Sequence, residues 1–100
     1  MDKSEVIEKV RAYRLLLMEH FQVEDIYLFG SFAKGTYSEH SDIDVAVVVD
    51  HIEGDYFAVN PLLWKIRRRI DDRIEPILIE KDVDEADFLS DIRKNGIRIV

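Results

Sequence analysis

The alternation of apolar and polar positions divides the chain into helical and extended segments. Apolar side chains recur at i, i+4 and i+7 spacing between residues 4 and 20, which predicts a first helix with one buried stripe. Asp2 or Ser4 is the candidate N-cap of this helix, and Asp2 with Glu5 fits a capping box. The predicted stripe consists of Val6, Val10, Tyr13, Leu17 and Phe21.

Three runs of residues predict strands. Residues 25–29 are rich in β-preferring side chains and are stopped by Gly30. Residues 42–49 become apolar on both faces toward their end, as expected of a central strand. A third strand is predicted over residues 74–79, and Pro76 has no N–H to donate, so we expect one side of this strand to be unpaired near that point.

The stretch between the second and third predicted strands has two interpretations. Asn60 followed by Pro61 is typical of an N-cap with proline at the first helical position, which predicts a helix from there to about Asp72. An earlier helical turn at residues 55–60 would instead leave Pro61 inside the helix. The buried side of this helix would be lined by Leu62 or Leu63, Ile66 and Ile70.

The C-terminal segment predicts one more helix and a short strand. The helix covers about residues 84–95 and ends at Asn95-Gly96, a common helix stop, and residues 97–100 form an edge strand. The resulting order of elements predicts a mixed α/β fold, with a sheet of three or four strands and helices packed on it. No linker or repeat interrupts the pattern, so residues 1–100 are expected to form a single domain.

Composition restricts the possible functions. The chain has 100 residues and no cysteine, which excludes disulfides, thiolate metal sites and cysteine nucleophiles. No segment approaches the roughly 20 apolar residues of a membrane span, and the acidic N-terminus does not look like a signal peptide. We therefore expect a cytoplasmic protein. A net charge of −7 disfavours direct binding of nucleic acid and suits metal ions or a basic protein partner.

Two carboxylates at the start of the central strand are candidates for metal binding. Asp42 and Asp44 are separated by one residue, so on a strand their side chains point to the same face. Like charges in this arrangement repel each other unless a cation lies between them, and Mg²⁺ takes oxygen ligands of this kind. On its own, the pair is equally typical of a solvated strand entrance.

The second candidate site is Gly30-Ser31, at the end of the first strand. Glycine lets the backbone approach a ligand closely, and backbone amides with the Ser31 hydroxyl can hold phosphate oxygens. Taken alone, Gly-Ser is an ordinary turn that ends a strand.

Together the two motifs resemble the signature of the DNA polymerase beta-type nucleotidyltransferase superfamily. Ten residues separate Gly30-Ser31 from Asp42-Ile43-Asp44. The segment Phe32-Ala33-Lys34-Gly35 matches the small-basic-glycine continuation, and Ser41 precedes the first aspartate as is usual in that family. The resemblance is greatest to the minimal nucleotidyltransferases, many of which are antitoxins of HEPN-type toxins.

The resemblance implies a role for each motif residue. Asp42 and Asp44 would bind Mg²⁺, two ions in all, and Glu75 would complete the metal site or accept the proton of the acceptor hydroxyl. The family often has aspartate at the position of Glu75, which is one methylene longer and is followed by a proline. An exposed residue of an alternating strand is the other interpretation of Glu75.

The nucleotide-binding residues implied by the resemblance are Gly30 and Ser31, which would bind the β- and γ-phosphates, and Lys34, which would add positive charge beside them. ATP is the donor typical of the family. No residue that would read the base can be identified in the sequence.

The function expected from the resemblance is transfer of AMP from ATP to a tyrosine hydroxyl of a HEPN-type toxin, with the chain acting as antitoxin in a hetero-oligomer. An alternative is a non-catalytic module that neutralises its partner by binding. A small-molecule nucleotidyltransferase, such as an antibiotic-modifying enzyme, is less favoured. Those relatives carry an additional helical domain for the acceptor, and 100 residues leave little room for one.

Overall fold

A mixed sheet forms the centre of the computed structural model, which describes residues 1–52, 56–83 and 87–100. The elements along the chain are α1 (Lys3–Met18), β1 (Asp25–Phe29), α2 (Ser31–Lys34), β2 (Ile43–Val49), α3 (Tyr56–Ile66), a 3₁₀ turn (Arg67–Arg69), β3 (Ile74–Glu80), α4 (Phe88–Asn95) and β4 (Ile97–Ile99). Four strands lie side by side in the order β3-β2-β1-β4. The mixed α/β fold predicted from the sequence is confirmed.

Strand directions and register set the position of the acidic residues. β1 is antiparallel to both β2 and β4, whereas β2 and β3 are parallel. Parallel neighbours need a crossover connection, and α3 supplies its helical part. The register places Asp44 opposite Phe29 on one side and opposite Glu75 on the other. These three residues therefore form a row across β3, β2 and β1.

Each face of the sheet has its own apolar cluster. Because side chains alternate along a strand, Val45 and Val47 of β2 face one cluster while Ala46 and Val48 face the other. α1 and α3 cover the first face. α4 covers part of the second face, chiefly through Leu89. β2 is thus apolar on both sides after Asp44, in agreement with its prediction as a central strand.

The first helix begins and packs as its pattern predicts. The Asp2 side chain accepts a hydrogen bond from the Glu5 N–H at 2.9 Å and so caps α1. Four residues of the predicted stripe are buried on α1, and the fifth, Phe21, lies beyond the helix end and packs on the same cluster. The buried Tyr13 hydroxyl donates to the Leu63 carbonyl at 2.9 Å, which fixes α1 against α3.

The predicted start of the third helix at Pro61 is wrong. α3 is already helical at Tyr56, so Pro61 lies inside it, and the helix ends at Ile66 in a 3₁₀ turn instead of continuing to Asp72. Proline here removes only one hydrogen bond, close to the start of the helix. The buried Leu63 and Ile66 hold the helix on the sheet in compensation. Residue 55, part of the alternative helical turn, lies outside the described residues.

Both edges of the sheet agree with the sequence pattern. β3 pairs only with β2, so the strand that contains Pro76 is an edge strand as predicted. β4 is the opposite edge and pairs with β1. α4 ends at Asn95 as expected, and Asp87 precedes it with a φ of +58°. The first residues of the predicted range for this helix, 84–86, lie outside the described part of the chain.

Candidate active site

The two aspartates lie where β2 enters the sheet. Asp44 is half-buried within β2, and Asp42 is exposed immediately before its first residue. Asp44 alternates with Val45 and shares the parity of Ala46, so its side chain points to the face that α4 partly covers. Burial and then the neighbouring charge of Asp42 raise the pKa of Asp44 above its usual range. The two carboxylates are therefore close enough to influence each other.

Glu75 brings a third carboxylate to the same place. Its Cα is the partner of the Asp44 Cα in the parallel pair, and its side chain shares the face of Ile79, in the second cluster. Burial, then the charges of Asp42 and Asp44 and a hydrogen bond with the Asp42 side chain, raise the pKa of Glu75. The sheet register thus brings together the three acidic residues singled out in the sequence.

Gly30 lies against the Asp44 carboxylate. Its backbone has φ +71° and ψ −147°, a conformation that is essentially restricted to glycine. A Cβ at this position would overlap the Asp44 Oδ2. Two independent constraints, backbone conformation and contact with the carboxylate, therefore require glycine between β1 and α2.

The other two predicted nucleotide-binding residues lie on α2. Ser31 is half-buried directly after Gly30, and its carbonyl accepts hydrogen bonds from the N–H groups of Gly35 and Thr36. Lys34 is exposed at the end of the same turn. Across residues 1–52, 56–83 and 87–100, no ion pair joins the Lys34 ammonium to a carboxylate. The Lys34 side chain extends from the end of α2 into solvent.

Arg67 is a structural neighbour of the site that the sequence motifs do not include. One guanidinium nitrogen of Arg67 donates to the carbonyls of Asp72 at 2.6 Å and Ile74 at 2.9 Å, and the guanidinium lies 4.6 Å from the Trp64 ring centroid. Its positive charge opposes the upward shift of the Glu75 pKa. The Trp64–Arg67 spacing of three residues is the only sequence signal for this arrangement.

Arg73 connects the acidic residues to the loop before them, and no sequence pattern points to it. Its guanidinium donates to the Glu39 carbonyl at 3.2 Å, in the loop between α2 and β2. Its own carbonyl accepts from the N–H of Ile43 at 2.8 Å, the residue between the two aspartates. Asp71 binds the same side chain, with the Arg73 Nη2 3.4 Å from its Oδ2. Arg73 therefore contacts both the loop before Asp42 and the strand that begins directly after it.

The donor set fits a magnesium ion that is shared with a ligand. Within the described ranges, no group of three or more His, Cys, Asp or Glu side chains is arranged to hold a metal ion by itself. Mg²⁺ commonly binds through one or two carboxylates and completes its shell with water and substrate phosphates. Asp42 and Asp44, with Glu75 beside them, supply hard oxygen ligands of that kind. Phosphate oxygens would complete the remaining coordination.

A cavity of about 910 Å³ lies at the other end of the sheet. It is lined by residues that precede β1 and follow β2, among them Phe21, Glu24, Asp50 and His51. Asp42 and Asp44 lie at the opposite end of β2, so the cavity is separate from the carboxylates.

The sequence of the chain matches a known protein family over most of its length. Residues 10–100 match the family described as "Nucleotidyltransferase domain". The chain belongs to the nucleotidyltransferase domain family. Asp42, Asp44, Glu75, Gly30, Ser31 and Lys34 all lie within the matched residues of this nucleotidyltransferase domain.

Individual relatives agree with the family assignment. Two proteins of Methanocaldococcus jannaschii, each named "Putative protein adenylyltransferase", are similar to this nucleotidyltransferase domain. One is 43% identical over 47 residues, which make up 47% of this chain and 47% of the relative. The other is 29% identical over 96 residues, 96% of this chain and 71% of the relative. The more similar segment thus spans about half the length of its relative.

A solved structure confirms the fold. A crystal structure of a "putative nucleotidyltransferase" from Sulfolobus solfataricus superposes with a TM-score of 0.73. The superposition covers 96% of this chain and 80% of the other, at 20% sequence identity. The two chains therefore share the arrangement of sheet and helices although their sequences have diverged widely.

Proposed function

We propose that this nucleotidyltransferase domain transfers AMP from ATP to a hydroxyl group of a partner protein in a Mg²⁺-dependent reaction. The observation that carries the proposal is the position of Gly30 against the Asp44 carboxylate, with Glu75 next to Asp44 on the neighbouring strand. A turn without a side chain leaves room for phosphate oxygens beside the carboxylates. The names of the relatives, which describe protein adenylyltransferases, support a protein as acceptor.

In the proposed reaction, the chain chiefly positions charged groups. The acceptor oxygen would form a bond to the α-phosphorus of ATP while the bond to the β-phosphate breaks and pyrophosphate leaves. Asp42 and Asp44 would hold Mg²⁺, which when bound would neutralise the charge on the transferred AMP group and on the departing pyrophosphate. Gly30 and Ser31 would place the β- and γ-phosphates, and Lys34 would reach them from the surface of α2. Orientation and charge neutralisation are the main contributions that a protein makes to phosphoryl transfer.

Glu75 is the proposed acceptor of the hydroxyl proton. Burial and two neighbouring carboxylates raise its pKa, so it is a stronger base than an isolated glutamate. The same charges attract a cation, and a bound cation would oppose this upward shift of the Glu75 pKa. The position of Glu75 beside Asp44 is therefore what suits it to accept the proton of an acceptor hydroxyl at this site.

The partner in this proposal is a HEPN-type toxin, modified on a tyrosine, with this chain as its antitoxin in a hetero-oligomer. The support for this partner is the resemblance of the Gly30-Ser31 and Asp42-Ile43-Asp44 motifs to minimal nucleotidyltransferases with that role.

An assay with labelled ATP tests the proposed function. The purified chain is incubated with Mg²⁺, ATP labelled in its α-phosphate, and the protein product of the neighbouring gene. We expect label on the partner with the wild type, and a loss of at least about 100-fold in Asp42→Asn and in Asp44→Asn. Asp50→Asn is the matched control, because Asp50 lies at the opposite end of β2, and it should retain transfer.

Two results would contradict the proposal. Label transfer that persists in the Asp42→Asn/Asp44→Asn double variant would exclude these residues as metal ligands of the reaction. A tight complex without any transfer would favour the non-catalytic binding module. Omission of Mg²⁺, with EDTA present, should abolish transfer by the wild type.

A further inference from the structure

An aromatic pair lies beside the carboxylates on the same face of the sheet. Phe88, the first residue of α4, is 41% exposed. Its ring meets the Phe29 ring edge-to-face, with 5.9 Å between the centroids and 89° between the planes. Phe29 ends β1 directly before Gly30, and its Cα lies opposite that of Asp44. The exposed ring is therefore connected to the carboxylate row through one intervening side chain.

A second exposed apolar side chain, Ile77, lies beside Glu75. Ile77 follows Glu75 by two residues, so it shares the face of Glu75, and it is 39% exposed. Exposed apolar surface thus lies near both ends of the row formed by Glu75, Asp44 and Phe29, with Phe88 at the Phe29 end and Ile77 at the Glu75 end. Ligand sites typically combine such apolar surface with a few charged groups that fix orientation.

Attachment of α4 to the sheet does not depend on the outer surface of Phe88. Leu89 and Ile92 of α4 are almost completely buried and join the second cluster. Single exposed apolar residues are common in proteins and usually carry no function. Phe88 differs because it extends the surface of a site that has the charge and backbone conformation to hold phosphates. Only the Phe29 side chain separates this aromatic surface from the position of Asp44 in the sheet, so a planar group attached to those phosphates would lie on the side of the Phe88 ring.

We propose that the Phe88 ring, supported by Phe29, is the surface on which the nucleobase of the bound nucleoside triphosphate stacks. The inference rests on the proposed function, which places the phosphates at Gly30 and Asp44. Every base presents a π face, so stacking adds affinity with little selection among bases. Such a contact would hold the nucleoside without requiring a residue that reads the base.

Calorimetric titration of two polyphosphates separates the base from the phosphates. ATP and inorganic tripolyphosphate, which lacks a base, are titrated in the presence of Mg²⁺ into the wild type, Phe88→Ala and Phe88→Tyr. We expect Phe88→Ala to weaken ATP binding about tenfold, in line with the contribution of one base–aromatic stack, and to leave tripolyphosphate binding unchanged. Phe88→Tyr keeps an aromatic face and should retain the affinity for ATP.

Two further variants serve as controls for surface exposure and for folding. Phe57→Ala removes a phenylalanine that is 80% exposed on α3, which packs against the opposite face of the sheet, and it should change neither affinity. Phe88→Leu keeps apolar volume against Phe29 without an aromatic face. We expect it to lose ATP affinity while its thermal unfolding midpoint stays at that of the wild type.

The stacking inference and the proposed function would be overturned by different results. Unchanged ATP affinity in Phe88→Ala, or an equal loss of ATP and tripolyphosphate affinity, would overturn the stacking inference alone. The stacking inference would also be overturned if the wild type bound ATP no more tightly than tripolyphosphate. Absence of Mg²⁺-dependent binding of either polyphosphate would overturn the proposed function on which the inference rests.

Discussion

Gly30 shows how a single residue links the backbone to the chemistry of the site. Its φ of +71° turns the chain sharply at the end of β1, and the absence of a side chain lets the turn contact Asp44. Gly35 has a similar φ of +78°, yet nothing lies within 4 Å of the position that its Cβ would occupy. Both glycines have a positive φ, but ψ is −147° at Gly30 and 15° at Gly35, so Gly30 differs both in a backbone conformation that alanine strongly disfavours and in its contact with the carboxylate.

This difference predicts the outcome of two alanine substitutions. Gly35→Ala should cost about 1–2 kcal/mol of the free energy of unfolding, from backbone strain alone, and should retain nucleotidyl transfer. Gly30→Ala adds the overlap with Asp44, so we expect a larger destabilisation and a loss of transfer of about 100-fold. Urea unfolding and the labelled-ATP assay measure both effects. Equal loss of transfer in the two variants would contradict the role assigned to the contact.

At the scale of elements, a small ionic cluster holds together the segments around the site. The Lys9 ammonium of α1 lies 2.7 Å from the Asp71 carboxylate, and the Arg73 N–H donates to the same carboxylate at 2.8 Å. Arg73 in turn donates to the Glu39 carbonyl in the loop before β2. The first helix, the start of β3 and that loop are therefore joined through Asp71.

The pH dependence of stability tests this cluster. Burial alone would raise the pKa of Asp71, but hydrogen bonds from Lys9 and Arg73 outweigh it and lower the pKa from 3.8 to about 2. A carboxyl whose pKa is lower in the folded state stabilises the fold above its unfolded pKa and loses this effect as pH falls toward about 2. Asp71→Asn should therefore cost about 1–2 kcal/mol at pH 7.

The difference in free energy of unfolding between the wild type and Asp71→Asn should shrink as pH falls from about 4 to about 2, because the wild type then loses the same charge. Urea unfolding at several pH values measures this difference. Asp72→Asn, at the exposed neighbouring residue, is the control and should stay within about 0.5 kcal/mol of the wild type. A difference for Asp71→Asn that does not vary with pH would contradict the ionic role.

Local patterns account for most of the elements and long-range contacts for the remainder. The buried stripe of α1 follows from periodicity, and the limits of β1 follow from a run of β-preferring residues that ends at Gly30. Asp42 and Asp44 follow from a motif with fixed spacing, whereas Glu75 was singled out by the family resemblance. The start of α3 predicted from Pro61 was wrong, because packing of Leu63 and Ile66 outweighs the local preference of proline for the first position of a helix. Arg73 was not foreseen, since its carbonyl contacts are 30 or more residues away and follow no periodic pattern.

At the scale of the whole molecule, negative charge is in excess. The net charge is −7, and several cations already pair with carboxylates, including Lys9, Arg73, Lys81 and Arg98. None of the helices in residues 1–52, 56–83 and 87–100 is long and apolar enough to cross a membrane. Because the net charge is negative, the overall field repels polyanions, and the proposed binding of a nucleotide would depend on the metal and on the local surface.

We accordingly predict that the chain does not bind duplex DNA or RNA at about 0.15 M salt. Fluorescence anisotropy of labelled duplexes measures this directly. Arg68→Glu/Arg69→Glu, which removes two adjacent exposed cations, should leave the result unchanged. Affinity that is lost in this double variant and falls steeply with salt would contradict the prediction, and would identify the basic turn after α3 as a polyanion-binding surface.

The proline of β3 has a consequence for the free edge of the sheet. The Lys81 N–H donates to the Val49 carbonyl and the Arg73 carbonyl accepts from Ile43, so odd-numbered residues of β3 direct their peptide groups toward β2. Pro76 therefore directs its nitrogen outward, where an incoming strand would need a donor and finds none. The edge beside Glu75 resists lengthening of the sheet by another chain. Under the proposed function, an acceptor protein would then present its hydroxyl from a folded surface and not from an added strand.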